Sequence, residues 1–597
     1  MSSALQLGAI GTSLQRIDGV LKVTGTAAYA FEQPVERPTY MHALLSQVAR
    51  GTIVTVDSAE ASAMDGVVLV LTYENAPRLA DENNQELFIL QDPEVHFRGQ
   101  IVGAVVAESP EIAREAAARV RITYVERPHD VVLRADHPEL YKPDQVNPSF
   151  ETDTAEGDMA EAIGAASITI DQHYTTPMEH NNPMEPHATI AIHVGDALTL
   201  YDSTQGPFAV ASSIAPLFGL EPQRVRVIAP HVGGGFGSKG TPHAHIVLAG
   251  LAAQMIPGRA VKLALTRQQM FSLVGYRTPT IQHVRIAADA DGRLLGISNE
   301  VVEQTARIKE FAEQTAVPTR MMYAAASRLT AHRLAPLDVP VPSWMRAPGE
   351  CPGMFAPEVA MDELAHAAGV DPVDLRILNE PETDPETGNP WSSRRLTECL
   401  RDGAERFGWS ERHAQPASRH DDGWLVGLGV ASAVYPVNRM PGTSARIIRL
   451  PDGRYCVHIA AADIGTGAWT SLTQIAADAL GVSTEQIDLQ IGDSSLPPAS
   501  VAGGSSGTTT WGSGIVAAAE RFREVHGDDP PGGAAVTADT PENPDEDDYA
   551  MYAFGAHFAE ARVNAATGEI RVPRMLGIFD AGRIINPRLA RSQFIGG

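Results

Sequence analysis

The sequence predicts an α+β protein with several domains, and three features of the chain support this prediction. Its 597 residues are enough for more than one domain. Strand-like runs such as Val67–Thr72 and Ile101–Ala107 mix with helical patterns such as 355–368 without regular alternation. Two polar stretches rich in acidic residues or proline, at 147–158 and 380–389, separate an N-terminal, a central and a C-terminal region.

The N-terminal and central regions each combine strands with helices. After Val67–Thr72 and Ile101–Ala107, the pattern predicts a helix at 111–120 and a further strand at 120–124, which together form a small α+β domain. In the central region we expect strands at 189–193, 198–202, 225–228 and 261–265, and helices at 243–255 and 355–368.

The C-terminal region begins with a helix at 394–407 and then returns to strands. Strands are expected at 424–434, 445–450 and 487–491, with a glycine turn at 465–467 and a helix at 470–480 between the last two. Residues 527–548 are acidic and rich in Pro and Gly, so we expect an exposed loop there. One more strand is expected at 552–564, and no closing element is expected before 593–597.

The composition excludes several classes of protein. The formal net charge is −27, which argues against a nucleic-acid or anionic-membrane partner because phosphate binding needs clustered Lys and Arg. The three cysteines, Cys351, Cys399 and Cys456, are far apart, so we expect no iron–sulfur cluster, no cysteine zinc site and no other metal-ligand set of side chains. No signal peptide and no apolar run long enough to span a bilayer are visible, so we expect a cytoplasmic protein, periplasmic only if exported with a partner subunit.

A glycine-rich segment at 229–240 is the most informative stretch, and it lies between a predicted strand and a predicted helix. Gly235, Gly237 and Gly240 fit the G-x-G-x-x-G pattern of a dinucleotide site. The next strand leads to Arg267 rather than to an acidic residue, which would suit NADP. A tight turn needed only for packing is an equal alternative.

Three further segments have candidate functional residues. Gln205 follows the strand at 198–202, where a side-chain amide can bind a ligand oxygen or simply stabilise a turn. Arg346 is the only charged residue of an otherwise apolar segment, which indicates an anionic or carbonyl partner or a structural salt bridge. The run of small residues at 503–510 is compatible with a phosphate cradle or with a flexible loop.

Taken in order, these segments resemble the molybdenum-binding large subunit of the xanthine dehydrogenase and aldehyde oxidase family, closest to the bacterial three-subunit aldehyde dehydrogenases. The resemblance extends over nearly the whole chain. Each motif alone is weak evidence, but the order and spacing of all of them are specific to this family. The motifs are Arg16-Ile17-Asp18-Gly19, Phe97-Arg98-Gly99-Gln100, Met184-Glu185-Pro186-His187, Thr204-Gln205, Gly233 to Lys239, Met345-Arg346-Ala347-Pro348-Gly349, Asp463-Ile464-Gly465-Thr466-Gly467 and Asp580-Ala581-Gly582 with Asn586-Pro587.

The resemblance implies an α/β hammerhead domain at 1–135 and two molybdopterin-binding α+β domains, at 150–385 and at 410–597, the second incomplete. It implies molybdopterin, or its cytosine dinucleotide form, as the cofactor, with FAD and [2Fe-2S] clusters on partner subunits, namely a flavin subunit and an iron–sulfur subunit. It assigns catalytic roles to Arg346, which faces the substrate, and to Gln205. The implied cofactor-binding residues are Gln205, Gly235, Phe236, Gly237, Arg346, Gly465, Thr466, Gly467, Ala468, Gly504, Ser505 and Ser506.

The sequence departs from the family pattern at two places. The Gly-x-Gly-Glu motif that carries the family's catalytic base is absent, and Glu350 belongs to the arginine motif instead. We therefore expect the chain alone to be inactive. Gly240 stands where purine-oxidising members carry a glutamate, which favours the oxidation of an aldehyde to a carboxylic acid with oxygen from water over xanthine oxidation. The alternatives are an NADP-dependent dehydrogenase that uses residues 225–267 and a catalytically incomplete subunit fragment.

Overall fold

The structure is a computed structural model that describes residues 8–597. Residues 1–7 lie outside the described residues, and with them the start of the predicted 1–135 domain and of the segment in which we expect no signal peptide. The α-helices, numbered in chain order, are α1 (Gly19–Val23), α2 (Ala59–Ser62), α3 (Pro110–Ala117), α4 (Met159–Ala165), α5 (Pro207–Leu217), α6 (Ala244–Met255), α7 (Arg267–Leu273), α8 (Glu350–Ala368), α9 (Pro372–Leu378), α10 (Leu396–Phe407), α11 (Ala468–Leu480), α12 (Gly507–His526) and α13 (Pro587–Gly596).

The β-strands are distributed along the whole described chain. In chain order they are β1 (Thr39–Leu45), β2 (Gly51–Asp57), β3 (Val67–Thr72), β4 (Glu94–Val95), β5 (Ile101–Ala107), β6 (Arg121–Glu126), β7 (Gln145–Val146), β8 (Phe150–Glu151), β9 (Thr154–Glu156), β10 (Ile168–Thr176), β11 (Ala188–Val194), β12 (Ala197–Asp202), β13 (Val225–Ile228), β14 (Val261–Ala264), β15 (Thr280–Ala288), β16 (Leu294–Ala306), β17 (Ser327–Leu337), β18 (His420–Asp421), β19 (Trp424–Pro436), β20 (Ser444–Arg449), β21 (Tyr455–His458), β22 (Ile487–Gln490), β23 (Ala535–Asp539), β24 (Tyr552–Asn564) and β25 (Ile570–Asp580).

The largest sheet joins the N-terminal region to the central one. Its seven strands lie in the order β13-β12-β11-β14-β1-β5-β3, so three strands of the N-terminal region continue a sheet begun by the central region. The strand β5 is apolar on both faces and buried at every position, and the helix α6 is apolar all round and packs on β11 and β14. The parallel strands β12 and β13 end at the same edge of this sheet.

Three other sheets complete most of the architecture. A five-stranded sheet has the order β10-β15-β16-β17-β9 and is covered by α4 and α8. A four-stranded sheet, β18-β19-β24-β25, packs against α10. A second four-stranded sheet, β22-β21-β20-β23, carries α11 and α12 on one side. Helices therefore lie on sheets without regular βαβ alternation, which confirms the α+β prediction.

Most predicted elements are confirmed, and four strands have the predicted bounds: β3, β5, β13 and β24. Two predictions for the C-terminal region are wrong. The acidic segment 527–548 contains β23, which pairs with β20. Of the run 503–510, residues 507–510 form the first turn of α12. The chain also has β25 and α13 before its last residues. Asn586 caps α13 by accepting the Leu589 N–H at 3.1 Å, a signal that the sequence prediction overlooked.

None of the helices in the described residues is long and apolar enough to cross a membrane.

Candidate active site

Gln205 joins two loops at the edge where β12 and β13 end. Its side-chain oxygen accepts the N–H of Gly237 at 2.9 Å, and its backbone N–H donates to the Lys239 carbonyl at 2.8 Å. Its side-chain amide donates to the Ala502 carbonyl at 2.6 Å, and the Ala502 N–H returns a bond of 2.8 Å to the Gln205 carbonyl. The glycine loop (residues 229–240) and the serine loop (residues 501–506) therefore meet at one buried glutamine.

The arginine loop (residues 344–349), between β17 and α8, lies directly on the glycine loop. The backbone N–H of Arg346 donates to the Phe236 carbonyl at 2.8 Å. The Asn181 side chain donates to the same carbonyl at 2.7 Å and to the Trp344 carbonyl at 3.1 Å. A Cβ on Gly237, which has a φ of +108°, would collide with the Trp344 carbonyl. Glycine is therefore required at 237 by the contact between two loops.

The Asp463 loop (residues 463–468) is a fourth part of the same region and leads into α11. The Asp463 carboxylate accepts the N–H groups of Gly465 at 2.8 Å and of Gly467 at 3.1 Å, which shapes the turn. The Trp469 indole then donates to the Pro230 carbonyl in the glycine loop at 3.2 Å. The side chain of Arg16 donates to the Gly465 carbonyl.

Backbone strain is present in three of these four loops. Phe236 has a φ of +56°, Ala347 a φ of +59° and Ser505 a φ of +51°, in a region that non-glycine residues rarely adopt. Such conformations persist only where the surroundings impose them, and they occur preferentially at functional sites. The strain therefore marks the glycine, arginine and serine loops as one candidate site.

Open space remains beside two of the loops. A Cβ on Gly465 would meet no atom within 4 Å, and one on Gly504 would be no closer than 3.4 Å to the Met440 methyl group. The twenty-residue helix α12 begins at Gly507, directly after the serine loop. The N–H groups at a helix N-terminus favour an anion such as a phosphate. The Asp463 and serine loops thus leave room for an anionic group held mainly by backbone atoms.

The guanidinium group of Arg346 is partly exposed at this site. It donates to the Gln593 carbonyl at 2.7 Å, and no carboxylate of residues 8–597 lies within ion-pair distance of it. Partial burial lowers the pKa of Arg346 from its usual value, since the charged form loses hydration. The site therefore contains a cation that no acidic side chain of the described chain neutralises.

A buried ion pair between Lys239 and Glu185 fixes the glycine loop. The Lys239 ammonium lies 2.8 Å from a Glu185 carboxylate oxygen, which also accepts the Gly233 N–H at 2.8 Å. Burial lowers the pKa of Lys239, and the Glu185 carboxylate opposes that shift. The sequence motifs contain both residues, but the pattern alone did not indicate that they bind each other.

Two histidines bond to a single carbonyl of the same loop. His187 and His243 each place Nε2 2.9 Å from the Ser238 carbonyl oxygen, which only accepts. His243 also places Nδ1 2.7 Å from the Glu86 carboxylate, and the pKa of Glu86 falls to about 2 beside His243 and Lys309, although its burial acts in the opposite direction. Both ring nitrogens of His243 therefore lie within hydrogen-bond distance of an oxygen, which holds the ring between Glu86 and the glycine loop.

Two buried carboxyl groups lie behind the arginine loop, and the sequence analysis named Glu350 but missed Glu313. Glu313 accepts the Gly349 N–H at 2.8 Å, and burial raises the pKa of Glu313 to about 7. Burial raises the pKa of Glu350 to about 8, and one of its carboxyl oxygens has no partner among the described residues. A buried, unpaired carboxyl group favours its neutral form.

The structure does not form the dinucleotide-binding unit considered as an alternative. In such a unit the strands before and after the helix are neighbours. Here β13 and β14 are separated by β12 and β11. Arg267 is not free for a phosphate either, because its guanidinium donates to the Pro183 carbonyl at 2.8 Å. The glycine loop instead faces Gln205 and the arginine loop.

Comparisons with known proteins identify the family of the chain. The sequence model of the aldehyde oxidase and xanthine dehydrogenase a/b hammerhead domain matches residues 24–128. Models of the molybdopterin cofactor-binding domain match residues 141–380 and, for a second domain, residues 402–526 and 532–597. Together these matches span most of the chain.

Two curated relatives align over nearly the whole chain. The aldehyde oxidoreductase molybdenum-binding subunit PaoC of Escherichia coli K12 is 38% identical, over 99% of this chain and 84% of the relative. The putative xanthine dehydrogenase molybdenum-binding subunit XdhA of the same strain is 26% identical, over 98% of this chain and 86% of the relative.

Solved structures show the same fold. Quinoline 2-oxidoreductase from Pseudomonas putida 86 superposes with a TM-score of 0.86 at 22% identity, over 100% of this chain and 86% of that one. The aldehyde oxidoreductase from Desulfovibrio gigas gives a TM-score of 0.83 at 24% identity, over 98% of this chain and 70% of that one. The domain models and the 38% identical relative identify a molybdopterin-binding subunit of an oxidoreductase. The chain belongs to the xanthine dehydrogenase and aldehyde oxidase family of molybdenum-binding large subunits.

Proposed function

We propose that this subunit oxidises aldehydes to carboxylic acids with oxygen from water. The observation that carries the proposal is the meeting of the glycine, serine and arginine loops, through Gln205 and Phe236, beside a cation without a carboxylate partner. The similarity to the aldehyde oxidoreductase subunit PaoC supports the same chemistry.

Backbone groups are proposed to hold the molybdenum–pterin cofactor. Gln205, Gly235, Phe236 and Gly237 would lie beside the metal, and the amide of Gln205 has one N–H left after its bond to Ala502. The Asp463 loop, with Gly465, Thr466, Gly467 and Ala468, would follow the pterin, and Gly504, Ser505 and Ser506 would bind the phosphate end. When bound, this group supplies a two-electron acceptor that protein side chains do not provide.

Arg346 is proposed as the residue that acts on the substrate. Negative charge develops on the carbonyl oxygen of an aldehyde as its carbon is attacked, and a guanidinium that has no carboxylate partner and is held by the Gln593 carbonyl stabilises that charge. Phe236, whose carbonyl binds the Arg346 backbone, is 43% exposed, and its ring is proposed as an apolar wall for the rest of the substrate. Gly240 places no carboxylate at the site, so a purine would lack a hydrogen-bond partner there.

Partner subunits are proposed to take the electrons onward. The three cysteines of this chain are free, Cys399 and Cys456 are buried, and no group of three or more potential metal-ligating side chains is found in residues 8–597. We propose that the partners are an iron–sulfur subunit with [2Fe-2S] clusters and a flavin subunit with FAD. The cofactor of this subunit is proposed to be molybdopterin or its cytosine dinucleotide form.

The proposal is tested on the enzyme assembled with its partner subunits. Molybdenum and pterin are quantified in the purified protein, and aldehyde-dependent dye reduction is measured in H₂¹⁸O. We expect molybdenum in the protein, aldehyde turnover and ¹⁸O in the acid. Turnover of xanthine but not of aldehydes would overturn the substrate assignment, and bound nicotinamide in place of molybdenum would overturn the function.

A further inference from the structure

The guanidinium group of Arg277, just before β15, lies close to three consecutive carbonyl groups of the arginine loop. One of its terminal nitrogens, Nη2, lies 3.0 Å from the Met345 carbonyl oxygen, 2.6 Å from that of Arg346 and 3.5 Å from that of Ala347. The residue is buried, with 3% of its surface exposed. A single guanidinium group therefore fixes the backbone on both sides of the proposed substrate-binding arginine.

Arg277 is itself anchored on its other side. Its second terminal nitrogen lies 3.2 Å from the Glu179 carboxylate, and the backbones of Arg277 and Glu179 bond to each other in both directions. The Glu313 carboxylate lies 3.8 Å from its Nε and accepts the Gly349 N–H at 2.8 Å. Arg277 thus lies against the carbonyl groups of residues 345–347, and its neighbour Glu313 binds the N–H of Gly349 at the end of the same loop.

The arginine loop needs such a constraint because its backbone is strained. Ala347 has a φ of +59°, and three carbonyl dipoles that point toward one place repel each other unless a cation lies there. The planar guanidinium group presents several N–H donors in a fixed fork, whereas a lysine ammonium is a point charge on a flexible stem. The contacts of Arg277 with both the loop and Glu179 require the fork.

We propose that Arg277 is a positioning residue that holds the backbone of residues 345–347 so that the Arg346 side chain is presented to the substrate. This inference rests on the proposed role of Arg346. Arg277 does not itself reach the exposed surface of the site, and it acts through the three carbonyl groups that it binds.

The test compares Arg277→Met and Arg277→Lys with the control Arg320→Met. Arg320 is equally buried in the same region, with 3% exposure, and donates to the Glu151 carbonyl and to Thr330, away from the arginine loop. The control therefore loses a buried arginine without loosening residues 344–349. All three variants are made in the assembled enzyme, and their molybdenum content is measured first.

Two readouts follow. Hydrogen–deuterium exchange of the cofactor-free chain is expected to accelerate in peptides that span 343–351 for Arg277→Met, less for Arg277→Lys, and not for Arg320→Met. In the loaded enzyme, kcat for an aldehyde should fall by roughly 10²-fold for Arg277→Met, the scale of a small misplacement of a reacting group. The lysine variant should recover part of this loss at unchanged molybdenum content.

Two results would overturn the proposal: unchanged exchange and kcat in Arg277→Met, or the same changes in Arg320→Met. If Arg277→Met does not fold, Arg277→Lys carries the test, and unchanged loop exchange in that variant would count against the proposal. Arg346→Met separates this inference from the proposed function. If Arg346→Met lowers kcat and Arg277→Met does not, only the positioning role fails; if Arg346→Met has no effect, the role of Arg346 fails first.

Discussion

The backbone N–H of Arg346 donates to the carbonyl oxygen of Phe236 at 2.8 Å, and this bond joins two loops that are far apart in the sequence. Phe236 belongs to the loop that also binds Gln205, so a displacement of either loop is transmitted to the other. If the glycine loop holds the cofactor as proposed, this backbone contact couples cofactor binding to the position of Arg346.

Gly237→Ala should prevent cofactor loading, because its new Cβ would collide with the Trp344 carbonyl and separate the glycine loop from the arginine loop. Molybdenum per protein is the measurement. Gly195→Ala is the matched control, since Gly195 also has a positive φ, +61°, but open space around it. Full molybdenum content in Gly237→Ala would show that the contact does not shape the site.

Arg346→Met should lower kcat for aldehydes by roughly 10²-fold or more, the scale of a lost donor to a developing oxyanion. Molybdenum content should be unchanged, because the bond to Phe236 uses the backbone of Arg346 and survives the substitution. Arg346→Lys keeps the charge and should retain part of the activity. Equal turnover in the methionine variant would make Arg346 a structural residue.

Lys239→Met should destabilise the subunit by about 3–5 kcal/mol, the usual cost of leaving one member of a buried ion pair without its partner. The double variant Glu185→Gln with Lys239→Met removes both charges and should recover part of that loss. Urea unfolding of the two single variants and the double variant gives the coupling energy. Additive effects would show that the two side chains do not stabilise each other.

Glu350 should make the stability depend on pH. Burial raises the pKa of Glu350 to about 8 from 4.5, so the folded state holds the proton more tightly than the unfolded state. Its contribution is fully present below pH 4.5 and is lost as the pH rises through 8. Glu350→Gln should therefore match the wild type in thermal unfolding at pH 4.5 and be more stable at pH 9.

Glu405→Gln, at an exposed position of α10, is the control for that experiment and should show no such change. An equal difference between Glu350→Gln and the wild type at both pH values would contradict the shifted pKa of Glu350.

The sequence located the loops well because motifs lie on contiguous residues. The strand β13, the glycine loop and the start of α6 were predicted with nearly correct bounds, and Gln205 and Arg346 lie outside helices and strands, as the sequence predicts. Asn181, Arg277 and Glu313 were missed, because each acts on a loop distant in sequence and nothing in its own neighbourhood indicates the partner. The strand β23 was missed for the same reason, since its pairing with β20 overrides a local composition typical of a loop.

Anomalous diffraction at the molybdenum edge, from crystals of the loaded enzyme, tests the central claim most directly. We expect one molybdenum peak in this subunit, beside the Gln205 amide, the Phe236–Gly237 backbone and the Arg346 side chain. A peak elsewhere in the subunit, or a nicotinamide nucleotide against the glycine loop, would contradict the assignment of this site.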